Sequence, residues 1–176
     1  MQDDHRLPAI FWKRLRLNER MLRTEQITAE GRELMTVREL FRAYERELDE
    51  DICFQRFEAE LKNPLVKYGP PSGELLLAYW REQPAGCIAM TRLDEPGVCE
   101  MKRLYVKPEF RKNKIGIELI GQLLTAARDK GYTTMRLNTL QKLRPALRLY
   151  RSLGFRKISP YYLHPLPGVV YMGKEL

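Results

Sequence analysis

The sequence predicts an α/β layer fold of the α+β type, with a single mixed, largely antiparallel central sheet flanked by helices. Three observations predict it. Apolar runs of strand length alternate with segments whose apolar residues recur at helical spacing. Three of the runs follow one another with only turn signals between them, as in an antiparallel meander. Helices precede and follow that meander, and such a mixture in one short chain is the pattern of a layered α/β fold.

In chain order, Met21–Ile27 reads as a first strand and Thr28 as a helix cap. Leu34, Val37, Leu40, Phe41, Tyr44 and Leu48 then mark one buried helical face. A second helix over Cys53–Leu61 carries Phe54, Phe57 and Leu61 and ends near Asn63-Pro64. Tyr68–Gly73 is a loop rich in glycine and proline. Glu74–Trp80 and Ala85–Leu93 form a hairpin around a turn at Gln83-Pro84, and Val98–Val106 is the third strand of the meander. Ile115–Lys130 is helical and is closed by Gly131. Thr133–Thr139 is a strand, Lys142–Leu153 a helix, and Phe155–Ile158 and Val169–Gly173 the last strands. Residues 1–19 read as an N-terminal appendage and residues 20–176 as the folded domain.

A chain of 176 residues with 44% apolar residues suits one domain with a true core. The net charge of +8 favours an anionic partner: nucleic acid, a membrane surface or a polyphosphate cofactor. The three cysteines, Cys53, Cys87 and Cys99, are far apart and form no C-x-x-C pair. That spacing argues against a metal site and against a disulfide framework. There is no run of eighteen apolar residues, so no membrane span is expected. The polar start Met1–His5 is unlike a secretory signal, which makes a cytoplasmic location the expectation.

The informative segment is the strand Met101–Val106, the turn Lys107-Pro108, the basic run Phe110–Gly116 and the helix that follows. A loop feeding a helix start presents unpaired N–H groups and the positive end of the helix dipole, which suit phosphate oxygens. Arg111, Lys112 and Lys114 add positive charge there, and Gly116 removes a side chain where backbone and ligand come close. A basic turn leading into a solvated helix is the competing reading of the same residues.

The stretch Leu104-Tyr105-Val106-Lys107-Pro108-Glu109-Phe110-Arg111-Lys112-Asn113-Lys114-Ile115-Gly116 resembles the cofactor loop of the GNAT superfamily of N-acetyltransferases. Downstream, Ala146-Leu147-Arg148-Leu149-Tyr150-Arg151-Ser152-Leu153-Gly154-Phe155 is similar to that family's late helix and the strand after it. Two residues depart from the pattern. Lys114 stands where the family has the first glycine of Arg-x-x-Gly-x-Gly, and Leu143 stands where it often has asparagine. If position 114 needs a positive φ, lysine costs roughly 1 kcal/mol or more there.

The resemblance implies an acetyl-CoA-dependent enzyme that moves the acetyl group to a primary amine by direct attack, without a covalent intermediate. It implies that main-chain groups of Leu104 and Val106, with Tyr105 between them, hold the pantetheine arm. Backbone N–H groups of Arg111, Lys112, Lys114, Gly116 and Ile117, in the loop that includes Asn113, hold the pyrophosphate. Tyr150 corresponds to the proton donor for the leaving thiolate, and the Val106 N–H to the group that polarises the carbonyl. Glu100 matches a position where some members keep a general base; it shares strand parity with Lys102 and Leu104. A salt bridge at Glu100, with a chain of waters in place of the base, is the alternative. Phe54, Pro70-Pro71, Tyr161, Tyr162 and His164 fall on segments that often border the acceptor. The sequence names no particular amine, which leaves protein and small-molecule acceptors open, along with a homodimer. A non-catalytic acyl-CoA sensor and a basic nucleic-acid-binding module are the rival readings, the second without a recognisable motif.

Overall fold

In the computed structural model, which describes residues 21–48, 54–162 and 167–176, seven strands make one sheet. They are β1 (Leu22–Gln26), β2 (Glu74–Trp80), β3 (Gln83–Arg92), β4 (Val98–Val106), β5 (Thr134–Leu140), β6 (Arg156–Lys157) and β7 (Val169–Glu175). The helices among the described residues are α1 (Arg32–Leu48), α2 (Phe54–Lys62), α3 (Pro64–Tyr68), α4 (Ile115–Asp129) and α5 (Arg144–Ser152). The spatial order is β1-β2-β3-β4-β5-β7-β6. Every pairing is antiparallel except β4 with β5, which α4 joins as a crossover.

Helices cover both faces of the sheet, which explains why β2 reads as an unbroken apolar run. Leu75 and Leu77 pack with Leu34, Val37, Phe41 and Phe57 of α1 and α2. Leu76 and Ala78 pack on the opposite face with Leu119, Ile120 and Leu123 of α4. The period-two alternation of the strand thus divides one run between two cores.

Three local expectations change. The hairpin turn falls at Arg81-Glu82, not Gln83-Pro84: both turn residues have positive φ, 49° and 62°, the hand that matches the twist of a two-residue hairpin. Pro84 lies inside β3 beside a shift in register, where a missing N–H is tolerated. A short helix, α3, follows Asn63, with Pro64 at its first position. Finally, α1 begins at Arg32 after a bend, not directly behind Thr28.

The feature that shapes the rest is in β4. Cys87 pairs with Tyr105 but Ala89 pairs with Lys102, so Ile88 faces two residues, Arg103 and Leu104. This is a β-bulge, and Arg103 takes the left-handed conformation with φ 58°. The bulge overturns the expected parity. Glu100 and Lys102 share a face, but Leu104 packs with Met101 on the other. Beyond the first three residue pairs, Val98–Glu100 with Thr134–Arg136, β4 and β5 part, while β5 stays paired with β7 as far as Leu140.

Arg103 is anchored on the α1–α2 side. Its Nε donates to Glu60 Oε1, and its guanidinium lies 4.8 Å from the Phe57 ring centroid. Lys67 donates to the other Glu60 oxygen at 3.0 Å. The Glu60 and Arg103 side chains are only 5% and 10% exposed. Burial pushes the Glu60 carboxyl up, but Arg103 and Lys67 outweigh it and hold the group below its ordinary value of 4.5. Glu60→Gln leaves the Arg103 charge without its partner and should cost about 3 kcal/mol at neutral pH. Because the folded value is depressed, this stabilisation is present above pH 4.5 and is lost as pH falls through the lower folded value. Urea denaturation of both proteins across that range should show the gap closing in acid.

Candidate active site

Where β4 leaves β5, a cavity of about 310 Å³ opens at the carboxyl ends of the two parallel strands. In open α/β sheets this is where ligands bind, and the volume suits a small-molecule site. Leu104 and Val106 line it from β4, Leu137 and Asn138 from β5, Tyr44 and Glu47 from α1, and Leu149 and Tyr150 from α5. The Lys107 N–H turns toward β3, donating to the Ala85 carbonyl at 2.9 Å. Alternation along the strand therefore turns the main-chain groups of Val106 and Leu104 toward the cavity and those of Tyr105 away from it. The Val106 carbonyl accepts from Arg111 Nε at 2.9 Å on that side.

The loop after β4 makes one 3₁₀ turn over Pro108–Phe110. The Asn113 side chain ties it down by donating to the Phe110 carbonyl at 2.9 Å. The Arg111 N–H donates to the Pro108 carbonyl, so it is not among the free donors at the helix start. Lys112 and Lys114 both have positive φ, 71° and 62°. Lys114 caps α4, and its carbonyl receives the first helical bond, from the Glu118 N–H at 3.1 Å. The N–H groups of Ile115, Gly116 and Ile117 stand ahead of that bond and are left for a ligand. A Cβ on Gly116 would meet Leu149 at 3.5 Å and Val106 at 3.9 Å, both ordinary contacts, so the protein itself does not demand glycine here.

The mouth of the cavity is tied across. Arg111 Nη2 donates to both Glu47 oxygens at 2.6 Å. Lys142 donates to the Leu48 carbonyl at 2.9 Å, linking the loop after β5 to the end of α1. Leu143, at the position before α5, lines the cavity with an apolar side chain.

Tyr150 is 7% exposed, and its ring meets Phe155 edge-on at 6.0 Å. Burial, with Tyr44 adding to it, pushes its phenol well above the ordinary range, so it stays protonated at neutral pH.

Glu100 is 3% exposed and sits on the face opposite Met101. Its Oε1 accepts from Tyr161 at 2.7 Å, Asn138 Nδ2 at 2.8 Å and Tyr162 at 3.2 Å. Its Oε2 accepts from Lys102 Nζ at 3.1 Å. Tyr161, Tyr162 and Tyr171 pack edge to face around the carboxylate, with centroids 5.0–5.7 Å apart. Burial and then the Glu100 charge push the Tyr161 phenol up, which keeps it a donor.

Tyr161 and Tyr162 thus converge on Glu100, while Tyr150 lines the neighbouring cavity. Phe54 is the first residue of α2, with its side chain outside the described residues, and His164 lies outside them altogether. Pro70-Pro71 is not at the cavity: both prolines are exposed, and the next residue, Ser72, accepts from Tyr132 near the amino end of β5. Asn138 and Lys102 belong to the cluster but were not singled out by the sequence. Lys102 was marked only by its parity with Glu100; nothing in the sequence marked Asn138. Among the described residues no helix is long and apolar enough to cross a membrane.

The family model described as the acetyltransferase (GNAT) family matches residues 34–155. An uncharacterized N-acetyltransferase of Schizosaccharomyces pombe is 46% identical over 138 residues, covering 78% of this chain and 85% of its own. Among solved structures, an acetyltransferase of Streptococcus agalactiae aligns with a TM-score of 0.75 at 20% identity, covering 88% of this chain and 98% of that one. The PaiA N-acetyltransferase of Thermoplasma acidophilum, solved in complex with coenzyme A, aligns with a TM-score of 0.66 at 19% identity, covering 88% and 99%.

Glycine at position 114 removes the left-handed penalty, which is about 1 kcal/mol, less some backbone entropy. Lys114→Gly should therefore raise the melting temperature by about 2 °C, read by calorimetry on the chain without ligand.

Proposed function

The chain belongs to the GNAT family of acetyltransferases and is an N-acetyltransferase; from that premise we propose that it binds acetyl-CoA in the β4–β5 cleft and passes the acetyl group directly to a primary amine held beside Glu100. The observation that carries this reading is the parting of β4 from β5, with unpaired N–H groups of α4 at one end and Tyr150 along the wall. Acetyl-CoA, when bound, supplies a thioester, and the rest of the chemistry falls to the chain.

The N–H groups of Lys112, Asn113, Lys114, Gly116 and Ile117 hold the pyrophosphate at the positive end of α4. Lys112 and Lys114 add charge, and Arg111 does so once it leaves Glu47. The cavity-facing groups of Leu104 and Val106 align the pantetheine arm, and Val106 N–H polarises the carbonyl. Glu100 takes a proton from the incoming amine through its Oε2, from which the amine displaces Lys102, because Oε1 is already filled by three donors. Tyr150, which burial keeps protonated and so available as a donor, gives its proton to the leaving thiolate as the C–S bond breaks and then recovers a proton. Tyr161 and Tyr162 fix the carboxylate and wall the acceptor.

Thiol release over a panel of amines tests the assignment of the acid. Tyr150→Phe should lower kcat on the order of 100-fold, with acetyl-CoA affinity by calorimetry little changed. Unaltered turnover removes Tyr150 from the reaction.

Gly116→Ala separates ligand contact from folding. The protein has room for the methyl group, and alanine favours the helix. Thermal stability should hold or rise, while acetyl-CoA affinity falls about tenfold, equivalent to about 1.4 kcal/mol. Unchanged affinity would place the pyrophosphate elsewhere.

A further inference from the structure

We propose that the chain acetylates itself on Lys102, whose amine stands in the acceptor position beside Glu100. The inference rests on the reading of the β4–β5 cleft as the acetyl-CoA site.

Glu100 has one oxygen available to an amine. Oε1 is filled by Tyr161, Tyr162 and Asn138; Oε2 is met by Lys102 Nζ at 3.1 Å. The amine at the base is therefore one of the protein's own. Strand alternation puts it there, two residues after Glu100 and just ahead of the bulge. Lys102 is the last residue before the register shift, on the face of Glu100, while Leu104 has already turned to the other face. Lys102 lines the same cavity as Leu104, Val106 and Tyr150, and no other lysine among the described residues lines it. Its side chain is 19% exposed, and its ammonium lies 6.0 Å from the centre of the Tyr162 ring. The described lysines nearest to other buried carboxylates, Lys67 at Glu60 and Lys130 at Glu74, do not reach the cavity. Burial lowers the proton affinity of Lys102, and Glu100 only partly restores it, so more of this amine is neutral than of a surface lysine.

The step balances. The Lys102 ammonium gives one proton to Glu100 Oε2, and the freed lone pair bonds to the thioester carbonyl carbon. The C–S bond breaks, its electron pair going to sulfur, which takes the Tyr150 phenolic proton. The new amide nitrogen sheds its second proton to the Tyr150 oxygen. One acetyl group is gained, one free CoA thiol is released, and the proton on Glu100 passes to solvent. No oxidant or other reactant is needed.

The test incubates the full chain with acetyl-CoA and no added amine, then maps acetylated peptides by mass spectrometry over time. Exposed Lys62 serves as the internal standard for uncatalysed acetylation. Lys102 should gain acetyl at least tenfold faster than Lys62, and Tyr150→Phe should slow Lys102 without affecting Lys62. Acetyl already on Lys102 in the isolated protein supports the proposal if the Tyr150→Phe protein lacks it, and overturns it if that protein carries the same amount. Equal rates at Lys102 and Lys62, or no acetyl at Lys102, overturn it when calorimetry shows that acetyl-CoA binds; the cleft reading then survives. If calorimetry shows no binding, the cleft reading fails and this inference fails with it.

Discussion

The ion pair between Arg103 and Glu60 is the contact on which the site depends. A left-handed arginine inside a strand is unfavourable by about 1–2 kcal/mol. The extra residue it accommodates bends β4 just beyond the three residues that pair with β5. The conformation persists because the arginine's far end is held by a buried carboxylate, by Phe57 and Phe41, and through Glu60 by Lys67. The strand defect that opens the cavity is therefore secured by α2 and α3, on the opposite side of β4 from β5. Helices that touch no part of the proposed cofactor loop take part in keeping the cleft open.

Charge placement follows the same division. The surroundings of Glu100 hold it in place with neutral phenols and an amide on one oxygen and a single ammonium on the other. Glu60 instead carries two cations and serves structure. Both carboxylates are buried and both hold a lysine, yet their settings differ: one is ringed by tyrosines beside the cavity, the other is closed in by helices.

Much of the fold was legible because it rests on apolar periodicity, which the two-sided core enforces. The α1 stripe Leu34, Val37, Leu40, Phe41 and Leu48 is buried as its spacing implied. The left-handed residue at 114 was legible for a different reason: a lysine in a glycine position is visible in the sequence, and its φ of 62° shows the backbone did not adapt. The bulge at Arg103 was not legible, since an arginine carries no signal for positive φ. The Arg81-Glu82 turn was missed for the same reason, with Pro84 next to it giving a stronger but misleading cue. Asn138 joined Glu100 only through the parallel register of β4 and β5, which no local pattern records.

Under the proposed placement of acetyl-CoA, the clasp of Arg111 on Glu47 and on the Val106 carbonyl would give binding the character of an exchange. A molecule that engages Val106 and recruits Arg111 to its phosphates must first undo bonds the chain already makes. A fragment bearing only the pantetheine arm can gain the carbonyl but offers the guanidinium nothing in return for Glu47. A molecule bearing the pyrophosphate offers both. The clasp thus sets a threshold that discriminates by completeness: partial look-alikes compete with the protein's own side chain, and whole ones replace it.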